Sequence, residues 1–358
     1  MPLDRRHFTG LLAGLIGTAA LRQSSSRVTG EDDCDLPEPI RSLRPITGNA
    51  KSITAAEREQ RVERARQLMS EQDIAALVLE SGTSLYYYTG VRWGLSERPF
   101  GVVIPRTGSL AWICPGFEEA RARERIGGAA EVRVWQEDES PYRLLAGILR
   151  DRGITTGRVG IEERLRFFVF EGLRREAPAL EYVCADPVTA GCRMIKSPAE
   201  LALLQISNTV TITACRAALA TLREGMTQYD LVSSMETAMR RLGGEDPGAL
   251  AGFGEYSAFP HGSEQPQKLR DGDIVLLDSG CTVQGYESDI TRTTVFGKPS
   301  ARQIQVWNLE RKAQDAAFAA ATVGATCDSV DAAARAVITS AGFGPDYKVP
   351  GLPHRTGH

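Results

Sequence analysis

Residues 272–294 read GDIVLLDSGCTVQGYESDITRTT and are the most informative stretch of the sequence. The run from Ile274 to Asp278 is almost wholly apolar and ends in an acid, and the run after Gly285 is rich in threonine. Apolar and β-branched runs separated by glycine predict two strands joined in a hairpin. We therefore expect a β-hairpin with Asp278 on one strand and Asp289 on the other.

The two acids of this hairpin suggest a catalytic or metal-binding pair. A hairpin symmetric about Val283 and Gln284 would place Asp278 directly opposite Asp289, with Cβ atoms about 4.5–5.5 Å apart. Facing carboxylates repel each other unless one takes a proton or a cation lies between them. The sequence therefore predicts either an acid dyad or a metal site.

The histidines strengthen the case for a metal. The chain has four, His7, His261, His354 and His358, and the last three all follow residue 190. Carboxylates and imidazoles together form a ligand set suited to Mn²⁺, Co²⁺, Fe²⁺ or Zn²⁺. The last two histidines are four residues apart, but a neighbouring proline and glycine argue against a helix that presents them together.

Residues 54–189 predict a mixed α/β domain. Helices are expected over Glu57–Gln72, Glu118–Ile126, Pro141–Arg152 and Phe167–Glu176. Strands are expected over Ile74–Leu79, Leu85–Tyr88, Phe100–Ile104, Leu110–Cys114, Glu131–Trp135, Arg158–Glu162 and Glu181–Cys184. No glycine-rich phosphate loop, metal-spaced cluster or nucleophile elbow occurs in this part of the sequence, so its pattern alone predicts no chemistry.

Residues 190–358 form the second predicted domain, which opens with two helices. Ser197 is a natural N-cap followed by a proline, and Thr227 with Asp230 approximates a capping box. Five apolar residues then share one helical face, which predicts core packing. They are Leu231, Met235, Ala238, Met239 and Leu242.

Residues 1–21 look like an export signal. Arg5 and Arg6 precede a weakly apolar run over residues 9–21, which is shorter than the roughly 20 residues that a membrane span needs. The paired arginines resemble a twin-arginine signal, with an ordinary amphipathic N-terminus as the alternative. Residues 22–53 are rich in serine, proline and charge and are interpreted as a linker. We expect contact with the export machinery and a periplasmic or extracellular location.

The composition excludes two classes of partner. Lys and Arg number 42 and Asp and Glu number 45, for a net charge of −3. Binding nucleic acid or an anionic membrane through bulk charge needs a basic excess, so neither partner is expected. The seven cysteines include no Cys-x-x-Cys pair, which argues against a zinc–thiolate site.

Four fragments in order resemble a known family. They are Ala258-Phe-Pro-His261-Gly, the two halves of the 272–294 stretch, and Pro353-His354-Arg-Thr-Gly-His358. Together they are similar to the pita-bread metallopeptidases, which include Xaa-Pro aminopeptidase, prolidase and creatinase-like relatives. The resemblance covers residues 54–358. It implies an α/β (α+β) fold in which a creatinase-like N-terminal domain precedes a pita-bread catalytic domain.

The resemblance also implies roles for individual residues. Asp278, Asp289 and His358 match metal ligands, with Asp289 bridging two divalent ions, Mn²⁺ foremost and Co²⁺, Zn²⁺ or Fe²⁺ as alternatives. His261 and His354 match catalytic histidines at the substrate. Thr291 and Arg292 resemble residues that hold the ligands in place.

The implied activity is hydrolysis of peptide bonds before proline by a metal-activated water. A creatinase-like hydrolase of a non-peptide C–N bond and a non-catalytic binding protein on the same fold are the alternatives. The implied partners are a peptide or small-molecule substrate and a second copy in a homodimer. The family pattern calls for two glutamates beyond the position of His358, so we expect an incomplete catalytic domain and a nearly inactive fragment.

Overall fold

The computed structural model describes residues 35–357. The signal predicted at residues 1–21 and the metal ligand predicted at His358 lie outside the described residues, as does the first part of the predicted linker.

The first domain is a six-stranded mixed sheet with helices on both faces. Its strands are β1 (Ile74–Glu80), β2 (Gly101–Pro105), β3 (Ala111–Pro115), β4 (Glu131–Trp135), β5 (Gly157–Ile161) and β6 (Leu180–Cys184). A short helix, α1 (Glu38–Arg41), precedes this domain, whose own helices are α2 (Ala55–Glu71), α3 (Thr83–Thr89), α4 (Glu119–Ile126), α5 (Pro141–Asp151), α6 (Phe167–Glu176) and α7 (Asp186–Arg193). The strand order is β4-β3-β2-β1-β5-β6, with β1–β2 and β2–β3 antiparallel and the other neighbours parallel.

The strand predicted at Leu85–Tyr88 is wrong, because these residues form helix α3. The aromatic run favours a strand locally. Leu85 and Tyr88 nevertheless lie three residues apart on one helical face and are both buried in the core. Gly90 ends the helix with a positive φ of 77°. Tertiary burial and the glycine cap thus override strand propensity.

The first domain extends past the predicted boundary at residue 189. That boundary falls inside helix α7, which begins at Asp186 and ends at Arg193. Val188 and Cys192 of this helix are buried in the same hydrophobic cluster as strand β1 and helix α2. The helix is therefore part of the first domain.

The second domain is an antiparallel sheet covered on one face by two long helices. Its helices are α8 (Pro198–Leu219), α9 (Gln228–Leu242), α10 (Ala301–Ala320) and α11 (Cys327–Ser340). Its strands are β7 (Glu245–Phe253), β8 (Ile274–Val283), β9 (Tyr286–Glu287) and β10 (Ile290–Val295), in the order β10-β8-β7 with β9 beside β8.

Both predicted helix starts are confirmed. The Ser197 side chain accepts from the backbone of Glu200, whose carboxylate accepts in return from the backbone of Ser197. Thr227 and Asp230 make the same reciprocal pair at the start of α9. The predicted apolar stripe of α9 is buried throughout.

Strand β8 alternates strictly between a buried and a half-buried face. Val275, Leu277, Cys281 and Val283 are buried in one hydrophobic cluster with helices α8 and α9. Because successive side chains point to opposite faces of a strand, Asp278 lies on the face away from these helices. The sheet therefore presents Asp278 on its open side.

Residues 35–53 are packed structure where a linker was expected. Ile40 and Ile53 are buried in the cluster formed by helices α8 and α9. The backbone N–H of Ile46 donates to the carbonyl of Leu242 at 2.9 Å. The linker prediction followed from the polar composition of the segment. Its few apolar residues nevertheless pack against the second domain and hold the segment there.

Helices α10 and α11 pack on each other around a small cluster of Ala313, Ala317 and Ala334. Gln303 of α10 donates to the carbonyl of Gly272 at 2.9 Å, which ties the pair to the start of β8. Across residues 35–357, no helix is long and apolar enough to cross a membrane.

Candidate metal centre

The predicted hairpin forms, but its register differs from the prediction by two residues. Asp278 pairs with Thr291, and Ser279 pairs with Ile290. The expected direct pairing of Asp278 with Asp289 is therefore wrong.

The position of the turn explains the difference. Val283 pairs with Tyr286, which leaves Gln284 and Gly285 as the two turn residues. Their φ angles are 52° and 79°, and two consecutive positive values are the signature of a type I′ turn. Glutamine is not a typical residue for the first of these positions, so the sequence pattern placed the centre one residue too early.

The two acids still share one face of the sheet. A shift of two residues preserves the side on which every side chain lies. Asp289 is a diagonal neighbour of Asp278, a relation that usually separates Cα atoms by about 7–8 Å. Asp278 is half-buried and Asp289 is exposed. The open side of the hairpin therefore carries both carboxylates.

Thr291 orients one of these carboxylates. Its hydroxyl donates to Oδ1 of Asp278 at 2.7 Å across the β8–β10 ladder. Arg292 does not share this role, because it pairs with Leu277 and so leaves the sheet on the opposite face. Its guanidinium donates to the carbonyl of Thr291 at 2.8 Å.

Gly280 permits a close approach of the strand that carries Asp289. The pairs Ser279–Ile290 and Thr282–Glu287 keep one register across the gap between β9 and β10, so Gly280 faces Asp289. A Cβ atom at Gly280 would collide with the carbonyl oxygen of Ser288.

A buried hydroxyl pair supports the same segment from the helical side. Thr211 of α8 and Ser288 bring their hydroxyl oxygens within 2.7 Å of each other. Ser288 also donates to the carbonyl of Cys281 and accepts from its N–H, both at 3.1 Å. The residue next to Asp289 is thereby fixed to helix α8.

The loop that carries His261 lies against the carboxylate face. Leu250 pairs with Asp278, so their side chains share a face of the sheet. A Cβ atom on Gly262 would lie 2.9 Å from Leu250 Cδ1, and Gly262 has a φ of 81°. Only glycine fits this approach without strain. His261 is exposed beside it.

His354 lies in a loop held by helix α11. Arg335 donates to the carbonyls of Leu352 at 2.6 Å and His354 at 2.7 Å. Asp331 accepts from the backbone and the hydroxyl of Thr356. The described contacts of His354 are to this loop and to α11, and its ring is exposed.

The described residues supply part of a metal-ligand set. Asp278 and Asp289 provide carboxylate oxygens, which suit hard divalent cations. Within residues 35–357, no three His, Cys, Asp or Glu residues are grouped closely enough to hold an ion. The third predicted ligand, His358, lies outside that range. The carboxylate pair on an open face therefore fits two of the ligands of a metal site.

The residues that hold the hairpin tip, residues 284–286, were not predicted from the sequence. Tyr286 contacts Arg61 of the first domain and Glu200 of helix α8. Arg61 is spaced four and seven residues from Ala65 and Leu68, which are both buried. This spacing on the apolar stripe is the one sequence signal that an arginine there is buried.

Comparison with known proteins agrees with this architecture. Residues 202–358 match metallopeptidase family M24, and residues 61–195 match the creatinase/prolidase N-terminal domain. An uncharacterized peptidase of Schizosaccharomyces pombe is 33% identical over 347 residues, covering 91% of this chain and 73% of that protein. An Xaa-Pro dipeptidase of Pyrococcus horikoshii is 27% identical, covering 84% and 80%. The crystal structure of dipeptidase PepE from Mycobacterium ulcerans matches with a TM-score of 0.78 at 30% identity, covering 86% and 82%.

The chain belongs to metallopeptidase family M24. The predicted fold class is confirmed: a creatinase-like N-terminal domain precedes a domain of pita-bread type. Membership makes the chain a hydrolase of the peptidase class and implies a divalent metal cofactor.

Proposed function

We propose that the protein hydrolyses peptide bonds before proline, as an Xaa-Pro dipeptidase or aminopeptidase. The observation that carries the proposal is the carboxylate face of the β8–β10 hairpin, where Asp278 is oriented by Thr291 beside Asp289. Relatives named Xaa-Pro dipeptidase and a solved prolidase support the substrate class.

Each candidate site residue has a defined role in this proposal. Asp278 and Asp289 would bind the cofactor, and the Thr291 hydroxyl fixes the orientation of the first carboxylate. A divalent metal held there would lower the pKa of a bound water and polarise the scissile carbonyl. We assign His261 to the scissile amide because its loop lies against Leu250, on the face of Asp278. His354 is proposed to line the substrate site, and His358 is the proposed imidazole ligand.

Two Mn²⁺ ions are the proposed cofactor, with Co²⁺, Zn²⁺ or Fe²⁺ as replacements. Carboxylate-rich ligand sets favour Mn²⁺, and paired metals recur in aminopeptidases. Metal analysis of the purified chain after loading with each ion measures both identity and number.

The substrate class is tested by release of proline from an Ala-Pro dipeptide, with Ala-Ala as the matched peptide that lacks proline. In a form of the protein that carries the two glutamates of the family pattern, we expect release with Mn²⁺ and loss of it in the presence of a chelator. Cleavage of Ala-Pro-Ala separates an aminopeptidase from a dipeptidase. Chelator-resistant hydrolysis of a non-peptide C–N substrate such as creatine, without release of proline from Ala-Pro, would instead indicate a creatinase-like hydrolase. Mn²⁺-dependent binding of Ala-Pro without turnover would indicate a binding protein.

We also propose export through the paired arginines at positions 5 and 6 and assembly as a homodimer. Replacement of both arginines by lysine keeps the charge and removes the twin-arginine pattern. The variant should remain in the cytoplasmic fraction while the parent reaches the periplasm. Sedimentation of the purified protein checks the dimer.

A further inference from the structure

A buried polar cluster joins the two domains beside the hairpin tip. Arg61 of helix α2 is 6% exposed and Glu200 of helix α8 is 4% exposed. Arg61 Nη2 donates to the hydroxyl of Tyr286 at 3.0 Å, and that hydroxyl donates to Glu200 Oε1 at 3.0 Å. Tyr286, the first residue after the turn, is thereby fixed between one group from each domain.

The remaining groups of this cluster also have partners. Glu57 Oε1 accepts from Arg61 Nη2 and from Ser197 Oγ, both at 2.8 Å. Arg61 Nη1 donates to the carbonyl of Tyr87 at 3.1 Å, and the guanidinium carbon lies 4.1 Å from the Tyr87 ring centroid. The arginine is thus held in one orientation by both ends of its fork and by an aromatic face.

The protonation states suit this arrangement. Burial alone would lower the pKa of Arg61, but its hydrogen bonds to Tyr286 and Glu57 raise it overall, so the guanidinium stays charged. Burial raises the pKa of Tyr286 to about 12, so its hydroxyl keeps the proton that it donates to Glu200.

The turn at Gln284 and Gly285 is held by helix α3 of the first domain and by Ser52. The hydroxyl of Tyr86 in helix α3 donates to the carbonyl of Gln284 at 2.8 Å. Ser52 donates to the side-chain oxygen of Gln284 at 3.0 Å. A Cβ atom on Gly285 would lie 2.5 Å from the Tyr86 ring, so the turn and helix α3 are in close contact.

Two domains can pack stably against each other without a buried arginine at their interface. Replacing buried ion pairs with apolar residues of similar volume is often neutral or stabilising, because charges are costly to desolvate. Directional hydrogen bonds, in contrast, fix the position of the group that they hold. In this cluster that group is Tyr286, three residues before Asp289 on the same chain segment.

We propose that Arg61 is a positioning residue of the catalytic domain. Through Tyr286 and Glu200 it lets the first domain fix the hairpin tip, and thereby the placement of Asp289 on the carboxylate face. The inference rests on the proposed function for the role of Asp289 as a metal ligand. The mechanical link between the domains stands on the contacts alone.

The test uses two variants that remove different parts of the link. Arg61→Met keeps an unbranched apolar stem and removes the guanidinium, and Tyr286→Phe removes a single oxygen and covers the case in which the first variant fails to fold. Arg66→Met is the matched control, because Arg66 lies on the same helix and donates to the carbonyls of Pro105 and Gly108 within the first domain.

Hydrogen exchange of the amides at residues 284–290 reports the link, and bound metal reports the placement of Asp289. We expect faster exchange in both variants and not in the control. Mn²⁺ affinity should fall roughly 10-fold to 100-fold, the usual effect of losing a group that orients a ligand. The visible absorption of bound Co²⁺ should shift, because it depends on ligand geometry, which a loss of global stability alone would not change. The double variant should lose no more affinity than either single variant.

Each part of the proposal is contradicted by a different result. Unchanged exchange at residues 284–290 in both variants overturns the link between the domains. Faster exchange with unchanged Mn²⁺ affinity and Co²⁺ absorption overturns the positioning role. A parent protein that binds neither ion overturns the proposed metallopeptidase function and the metal-positioning role together, whereas the exchange measurement still decides whether Arg61 holds the hairpin.

Discussion

The hydroxyl of Thr291 donates a 2.7 Å hydrogen bond to Asp278 Oδ1 across the hairpin, so one strand orients the carboxylate of the other. This contact gives the first prediction. Thr291→Val keeps the branched shape and removes the donor, which frees the carboxylate to rotate. Mn²⁺ affinity should fall about 10-fold to 100-fold, as measured by titration calorimetry. Thr293→Val is the control, because Thr293 lies two residues further on the same face, opposite Leu276. Equal affinities for parent and Thr291→Val would show that the bond has no role in metal binding.

Gly280→Ala should displace the strand that carries Asp289. The added methyl would collide with the carbonyl of Ser288, and relief of such overpacking costs about 1–3 kcal/mol of unfolding free energy. Urea unfolding measures this loss. Gly248→Ala is a close control, since Gly248 pairs with Gly280 and a Cβ there meets nothing within 4 Å. Equal stability of the two variants would contradict the proposed contact.

In a form of the protein that carries the two glutamates of the family pattern, Asp289→Asn should abolish metal-dependent hydrolysis while leaving the fold intact. The amide keeps the shape of the side chain but loses the negative charge that a divalent cation requires. Proline release and Mn²⁺ binding measure the effect. Glu287→Gln, two residues earlier on the same exposed face, should retain the activity of the parent protein. Parent-level turnover by Asp289→Asn would remove this residue from the site.

Arg335→Met should release the loop that carries His354. Arg335 donates to the carbonyls of Leu352 and His354, so its loss should speed hydrogen exchange over residues 346–356. Mass spectrometry of the exchanged peptides measures the change. Arg311→Met removes an arginine that pairs with Asp315 within α10 and should have no effect on that loop. Similar exchange in both variants would mean that other contacts hold the loop.

Tyr286 should make the protein sensitive to alkaline pH. Its folded pKa of about 12 lies above the ordinary value of 10.0. The resulting stability is fully present below pH 10 and is lost as the pH rises through 12, because the unfolded chain ionises first. Unfolding free energies at pH 9 and 11 should therefore fall more in the parent than in Tyr286→Phe. A parallel fall in both proteins would contradict the assignment.

Local signals in the sequence were sufficient for much of the fold. The caps at Ser197 and Thr227 depend on residues within one turn, and both were predicted correctly. The Leu85–Tyr88 helix was missed because its burial outweighs its strand propensity. The hairpin register was missed because Gln284 takes a positive φ that its residue type does not indicate.

The sequence identified the residues of the candidate site, but it did not predict their relative positions correctly. The motifs identified Asp278 and Asp289, and the diagonal relation emerged only from the observed register. The buried cluster at Tyr286 joins Arg61 to Glu200, residues far apart in the chain, and no local pattern encodes such a contact.

The packing of residues 35–53 on the second domain has a consequence for the order of folding. Ile40 is buried against helices α8 and α9, which are synthesised only after more than half of the chain. Contacts so distant in sequence form late, since closing the intervening loop costs entropy before any contact forms. During synthesis the first domain can therefore complete its sheet while the segment before it is still unpaired. The earliest described residues to leave the ribosome are thus among the last to reach their native positions.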